Sequence, residues 1–419
     1  MIPDSTAPAL LDRYAEHAGP DAIEQLRQLA SRLTGLKVVH VNSVPWGGGV
    51  PEILATLVPL MQELGLDASW ETLEADEDFF SCTKTLNNAL QGKPVSPSPE
   101  ALELYEAVNA RNAERLRPLL EEAGVVVIHD SQPAPLLSHC PDRRGKWIWR
   151  CHLDLSQPYR QVWRYLRGFL VDYDASVFSL DAFVQPLPHL QFLIPPSIDP
   201  LSEKNMPLDP ETLSQVLEQF SIDPQRPVVL QVSRFDRFKD PLGAIEAYRL
   251  AKQFVPSLQL VLAGGSAVDD PESAEVLREV REAAAGDPDI HILATEHYSD
   301  RTINALQSAA DIVLQKSIRE GFGLAVTEAM WKGKPVIGGN TGGIRLQLLD
   351  HRTGFLVDTP EGAALRIRYL LSERHRMGQI GQAAREYVRQ SFLSTRHMRE
   401  YLTLMVTLTH GDEDRIELG

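Results

Sequence analysis

Asp311-Ile312-Val313-Leu314-Gln315 reads as a buried strand. The segment beyond it, Glu320-Gly321-Phe322-Gly323-Leu324-Ala325-Val326-Thr327-Glu328, turns through two glycines into a helical stretch from Ala325 to Trp331. A helix that starts at the end of a strand points unpaired N–H donors and a partial positive charge beyond the sheet, where an anion is held. Gly321 and Gly323 let a ligand approach the backbone closely. Glu320 enters the turn and Glu328 lies on the helix, and carboxylates beside an anion site suit hydroxyl groups. A ligand with both phosphates and sugar hydroxyls fits. The competing reading is a surface turn with two solvated glutamates.

Working outward, the strand-to-helix pattern recurs along the chain. Lys37-Val38-Val39-His40-Val41 is a strand, followed by Gly47-Gly48-Gly49 and a helix over Val50 to Leu64, after an opening helical segment over Leu11 to Leu33. Gly124 to Asp130 and Trp147 to His152 are further strands with polar residues at their ends. Seven prolines between Pro186 and Pro210 read as a linker, after which the pattern restarts at Pro227 to Val232, Leu258 to Ala263, His291 to Leu293 and Pro335 to Ile337. Alternating strands and helices predict an α/β chain with two doubly wound, Rossmann-like lobes and an interlobe cleft. The expected divisions are 1–200, 201–390, and a helix and acidic tail over 391–419 packing back toward the first lobe. No internal repeat is evident.

The chain has 419 residues and a formal net charge of -16. That charge argues against nucleic acid as a partner, while leaving room for a local basic pocket. No apolar run approaches a bilayer span, and Met1-Ile2-Pro3-Asp4-Ser5 lacks the basic-then-apolar pattern of a signal peptide. Cys82, Cys140 and Cys151 are scattered, which suggests a reducing compartment without disulfides. The expected location is the cytoplasm. Asp-x-Asp pairs occur at Asp76/Asp78, Asp172/Asp174, Asp287/Asp289 and Asp412/Asp414. None sits at a convincing strand end, and no metal is assigned.

Arg234 and Lys239 follow a strand and can neutralise a departing diphosphate without a metal. Gly47-Gly48-Gly49 can cradle a phosphate or a reacting sugar. His129-Asp130 and His152-Leu153-Asp154 lie at strand ends, suited to binding sugar hydroxyls or managing a proton. Trp46 stands in a polar turn as a candidate carbohydrate platform, whereas Trp147, Trp149 and Trp163 read as core. Neither lobe shows the spaced glycine fingerprint of a dinucleotide oxidoreductase.

Together these residues resemble the retaining glycosyltransferases of family four, which have the GT-B architecture. Arg234-x-x-x-x-Lys239 is similar to that family's diphosphate-binding pair, Gly264-Gly265 to its glycine turn, and Glu320 to Glu328 to its paired-glutamate motif. Ile194-Pro195-Pro196-Ser197-Ile198-Asp199 resembles its linker with departures at Pro196 and Ser197. Asn340-Thr341-Gly342-Gly343-Ile344 resembles its late glycine loop, with Arg345-Leu346 in place of Pro-Glu. His40 to Leu54 and Trp149 to Ser156 resemble the trehalose-forming branch, which includes glycosyltransferring synthases and related phosphorylases.

The resemblance implies retaining transfer of glucose from a nucleoside-diphosphate glucose to free glucose, giving α,α-trehalose reversibly. Phosphorolysis of trehalose, or transfer to another acceptor, stands as the alternative. It implies catalytic roles for Glu320, Arg234, Lys239, His152 and Asp130. Donor contacts fall to Gly48, Gly49, Gly264, Gly265, Gly321, Phe322, Gly323, Leu324 and Glu328, and acceptor contacts to Asn42, Trp46, Arg150 and Asp154. The implied partners are a nucleotide sugar and glucose or trehalose, with no covalent cofactor, no nucleic acid and no membrane; a homodimer is left open.

Overall fold

Strands covered on both faces are near-continuous apolar runs, and the computed structural model places such runs in two parallel sheets. It describes residues 9–265, 271–294 and 299–411. The opening Met1 to Ser5, the acidic tail from 412 onward and the Asp412/Asp414 pair lie outside the described residues.

The chain divides into two compact units. One runs to Ser197 and resumes at Leu393; the other is Ile198–Phe392. In the first, β1 (Lys37–Asn42), β2 (Asp67–Thr72), β3 (Val125–His129), β4 (Lys146–Arg150), β5 (Ala175–Phe178) and β6 (Leu190–Leu193) form a sheet of order β2-β1-β3-β4-β5-β6. Val39, Val41, Val126, Ile128, Trp147 and Trp149 pack on one face with Phe79 and Tyr105. The alternate residues His40, His129 and Arg150 are buried but polar. The helix Ser394–Thr409 packs against the helices Pro20–Ser31 and Gly49–Glu63.

In the second unit, β7 (Val228–Val232), β8 (Gln259–Gly264), β9 (Ile290–Ala294), β10 (Ile312–Gln315), β11 (Val336–Gly339) and β12 (Gly354–Val357) are ordered β12-β11-β10-β7-β8-β9. Strand order reverses between β1 and β3 in the first sheet and between β7 and β10 in the second. In open α/β sheets ligands bind at such switch points, beyond the carboxyl ends of the strands.

The proline-rich stretch is not purely a linker. It contains β6, which pairs in parallel with β5 from Ala175↔Leu190 to Phe178↔Leu193. β6 lies at the edge of its sheet, where flanking prolines are tolerated because one row of N–H groups needs no partner.

Candidate functional site

The second switch point is built by the loops after β7 and β10. Ile318 N–H donates to the Phe238 carbonyl at 2.8 Å, joining the two loops. Lys316, buried at the end of β10, reaches Asp240 at 3.0 Å. Lys239 donates to both carboxylate oxygens of Glu320, each at 2.7 Å. The Ser317 hydroxyl donates to Glu320 Oε2 at 3.0 Å. Glu320 is thus held by three hydrogen bonds beyond the carboxyl end of β10 and is only 6% exposed.

Gly323, with φ 87, precedes the helix Leu324–Trp331, and no side chain caps that helix. The Val326 N–H turns back to the Gly323 carbonyl at 3.0 Å, which leaves the N–H groups of Leu324 and Ala325 without a partner among the described residues, the kind of donors that suit an anion. The turn is shaped from behind by the Asn340–Gly343 loop. Gly343 N–H donates to the Glu320 carbonyl at 3.1 Å. A Cβ on Gly342, which has φ +42, would lie 1.8 Å from that same oxygen. Gln347 donates to the Phe322 carbonyl at 2.6 Å. On the other side, a Cβ on Gly264 would meet the Ser233 carbonyl at 1.8 Å. These glycines are required by close backbone approach; Phe322 is buried against Phe392.

The structure brings Glu320 and Lys239 together and leaves the other members apart. Arg234 is 61% exposed and pairs with Asp236 at 3.4 Å. Glu328 is buried within its helix, where Gln307 donates to Oε2 at 2.8 Å and Lys204 stands 3.9 Å from Oε1. Among the described residues, Glu328 and Glu320 share no hydrogen-bonding side chain.

At the first switch point a chain of imidazoles crosses three strands. His40 Nδ1 lies 3.1 Å from His129 Nε2, and His129 Nδ1 lies 3.0 Å from His152 Nε2. Burial lowers the pKa of His40 to about 3 and holds His129 and His152 well below the usual imidazole value. All three are therefore neutral near pH 7, each with one N–H. Only two tautomer arrangements satisfy both contacts. One turns a donor outward at His152 Nδ1, and the other turns a lone pair outward. That nitrogen has no hydrogen-bond partner among the described residues.

Asp130, at φ 63, accepts the His152 backbone N–H at 2.7 Å. Burial pushes its carboxyl up to about 6, against the pull of the His152 amide and Arg150. The Tyr401 ring sits 6.2 Å from His40 and 5.1 Å from His397.

The remaining expected residues differ in exposure. Arg150 is fully buried and donates to Ser179 at 3.3 Å. Asp154 is buried and accepts the Ser156 N–H at 2.9 Å. Asn42 donates to the Val44 carbonyl at 2.7 Å and accepts from Trp70 at 2.6 Å, so it shapes the loop after β1. Trp46 is 68% exposed. Gly48, with φ 95, precedes the helix Gly49–Glu63, which has no side-chain cap. Sequence reading missed Ser317, Lys316, Gln347, His397 and Tyr401. The one available signal was His40, a polar residue inside an otherwise apolar strand.

Among the described residues, no His/Cys/Asp/Glu group is arranged to hold a metal ion. Asp287 and Asp289 of one Asp-x-Asp pair both engage Lys252, at 2.7 and 2.8 Å. Asp76 caps a helix through the Phe79 N–H, and Asp174 pairs with Arg143 and Lys146.

Two Rossmann-like sheets, with charged and glycine-rich loops at their switch points, define a GT-B glycosyltransferase. Residues 40–185 match the family described as "Trehalose synthase, N-terminal domain", and residues 215–387 match "Glycosyl transferases group 1". Trehalose synthase of Thermococcus litoralis is 43% identical over 399 residues, covering 94% of this chain and 96% of that protein. Trehalose synthase of Rubrobacter xylanophilus is 44% identical over 391 residues, covering 92% and 93%. A solved Anabaena protein in complex with UDP and glucose superposes with a TM-score of 0.68 at 17% identity, covering 89% of this chain and 100% of that one; at that identity the likeness shows the fold. The chain belongs to the trehalose synthase family, and its chemistry is a trehalose-related glycosyl transfer. No helix among the described residues is long and apolar enough to cross a membrane.

Proposed function

We propose that this chain moves glucose from a nucleoside-diphosphate glucose to free glucose, with retention, forming α,α-trehalose reversibly. The observation that carries this reading is the Lys239–Glu320 pair at the β7/β10 switch point, beside the uncapped helix start at Gly323. A cation, open N–H groups and a fixed carboxylate together suit a diphosphate joined to a hydroxyl-rich sugar.

In this reading Lys239, Arg234 and the helix start stabilise the diphosphate as it leaves. Glu320 binds sugar hydroxyls and favours positive charge at the anomeric carbon, and Glu328 serves the nucleotide ribose. In the first unit, Gly48, Gly49, His152 and Asp130 orient the sugars, with His40 and His129 fixing the tautomer of His152. Asn42, Trp46, Arg150 and Asp154 shape the acceptor's surroundings. The bond from the anomeric carbon to the phosphate oxygen breaks with its electron pair going to the diphosphate. The acceptor hydroxyl attacks the same face, and its proton passes to the departing phosphate oxygen. No covalent glycosyl-enzyme forms, which suits a site where Glu320 is already held by a lysine.

The test incubates the protein with several nucleoside-diphosphate glucoses and glucose, then identifies the disaccharide and its linkage. Retained α,α-trehalose is expected, and an inverted linkage or a glycosyl adduct on Glu320 or Asp130 would overturn the mechanism. Trehalose cleavage supported by phosphate alone, without nucleoside diphosphate, would instead identify a phosphorylase.

A further inference from the structure

A second basic feature lies on the helix Arg160–Leu170. Val162, Leu166 and Leu170 bury one face of this helix. Arg160, Arg164 and Arg167 follow the i, i+4, i+7 spacing of another face, and all are exposed. With Trp163 and Gln185 they line a groove of ≈ 670 Å³ whose lining includes no carboxylate.

In a chain of net charge -16, several surface arginines meet acids. Here Arg237 meets Glu279, Arg278 meets Glu282 and Arg389 meets Glu386. Arg160 and Arg164 have no ion pair or hydrogen bond among the described residues, and Arg167 donates only to the Pro186 carbonyl, at 3.2 Å.

The helix also runs against its own electrostatics. Its first turn has no acidic residue, no side chain caps it, and Arg160 occupies its first position. A cation at a helix N-terminus and like charges four residues apart are both unfavourable. An anion in the groove would relieve both and would also meet the open N–H groups.

We propose that this groove binds a phosphorylated monosaccharide. The guanidinium forks match a phosphate dianion. The half-buried Trp163 ring supplies a flat apolar face for the sugar. Gln185 donates to the Leu155 carbonyl at 2.7 Å through its nitrogen, so its oxygen is left to accept from a hydroxyl. The volume matches one small ligand, and three cations in one concavity of an acidic chain are too few to track a nucleic acid. The proposal is independent of the glucosyl-transfer reading.

The test is titration calorimetry on the full chain with glucose 6-phosphate, inorganic phosphate and glucose, alongside an Arg160→Gln/Arg164→Gln variant. Glucose 6-phosphate should bind the parent at least about tenfold more tightly than phosphate. The variant should lose that binding at least about tenfold, keep its glucosyl-transfer rate, and unfold no earlier than the parent without ligand. Undiminished binding in the variant places the ligand elsewhere and overturns the proposal. Equal affinity for phosphate and the sugar phosphate overturns the sugar assignment, and no binding overturns it entirely. Because binding is read directly, a failure of the transfer reaction leaves this result intact.

Discussion

Lys239 and Glu320 form their ion pair where water is largely excluded, with the lysine 19% and the glutamate 7% exposed at their side chains. Removing the lysine leaves a nearly buried carboxylate with Ser317 as its one side-chain donor among the described residues. Lys239→Ala should therefore lower kcat by at least about tenfold, the scale of a lost electrostatic stabiliser. Arg234, exposed and weakly paired, has little structural part to lose. Arg234→Ala should leave the unfolding midpoint unchanged while lowering turnover by at least about tenfold. Steady-state kinetics with denaturant unfolding separates the two effects, and near-normal turnover in both variants would reject the assignment. The same logic applies to His129, which touches His40 and His152 together. His129→Phe removes both contacts and frees the His152 ring. A fall in kcat of up to about 100-fold, the scale of an ångström's misplacement, is expected, with donor KM little changed.

At the scale of elements, two glycines make contrasting demands. Gly342 has φ +42, and an added Cβ would lie 1.8 Å from the Glu320 carbonyl. Gly48 has φ +95 with nothing within 4 Å of an added Cβ. Gly48→Ala should cost only backbone strain, on the order of 1–3 kcal/mol at its φ of 95 and ψ of 176, while Gly342→Ala must also displace the turn that carries Glu320. Urea unfolding should rank Gly342→Ala as clearly the more destabilising, and equal costs would refute the close approach.

This contrast also shows what sequence alone could reach. The β10-to-helix turn was legible because glycines, glutamates and an apolar strand stand side by side in the chain. Strands such as Leu190–Leu193 were missed, being short and flanked by prolines that an edge position tolerates. The partner of Glu320 was not legible either. Arg234 and Lys239 are equal candidates in sequence, and only the 3-10 turn Arg237–Lys239 sets which cation meets the carboxylate 81 residues away. The His40–His129 contact spans 89 residues and follows from strand pairing rather than from any motif.

For the molecule as a whole, the buried imidazoles couple folding to pH. His40, His129, His152 and His397 all have folded-state pKa values held below the ordinary value, chiefly by burial. Arg150 stands near His129, His152 and His397, and Arg396 near His397, and both cations oppose protonation there. A group with a lowered folded pKa binds its proton in the unfolded chain first. The stability it contributes is complete above about pH 6.5 and is lost as pH falls. Asp130 works the other way, since its folded pKa is raised to about 6. Between its unfolded value and pH 6 the folded chain holds a proton that unfolding releases. Carboxylates with lowered values, such as Asp287 and Asp289, add their loss only at lower pH. Around pH 5, therefore, these four histidines, together with His189 and His291, whose values burial also lowers, take up protons on unfolding, and Asp130 gives one back, so unfolding binds protons overall. The urea midpoint should fall steadily from pH 7 to pH 5, well before general acid denaturation. Replacing His397, whose Nδ1 lies 2.9 Å from the Ser197 hydroxyl, by Gln should make that decline shallower by about one proton, whatever it does to stability at pH 7. A midpoint that stays flat over this range would mean that water reaches these imidazoles and that the layer is not held neutral by burial.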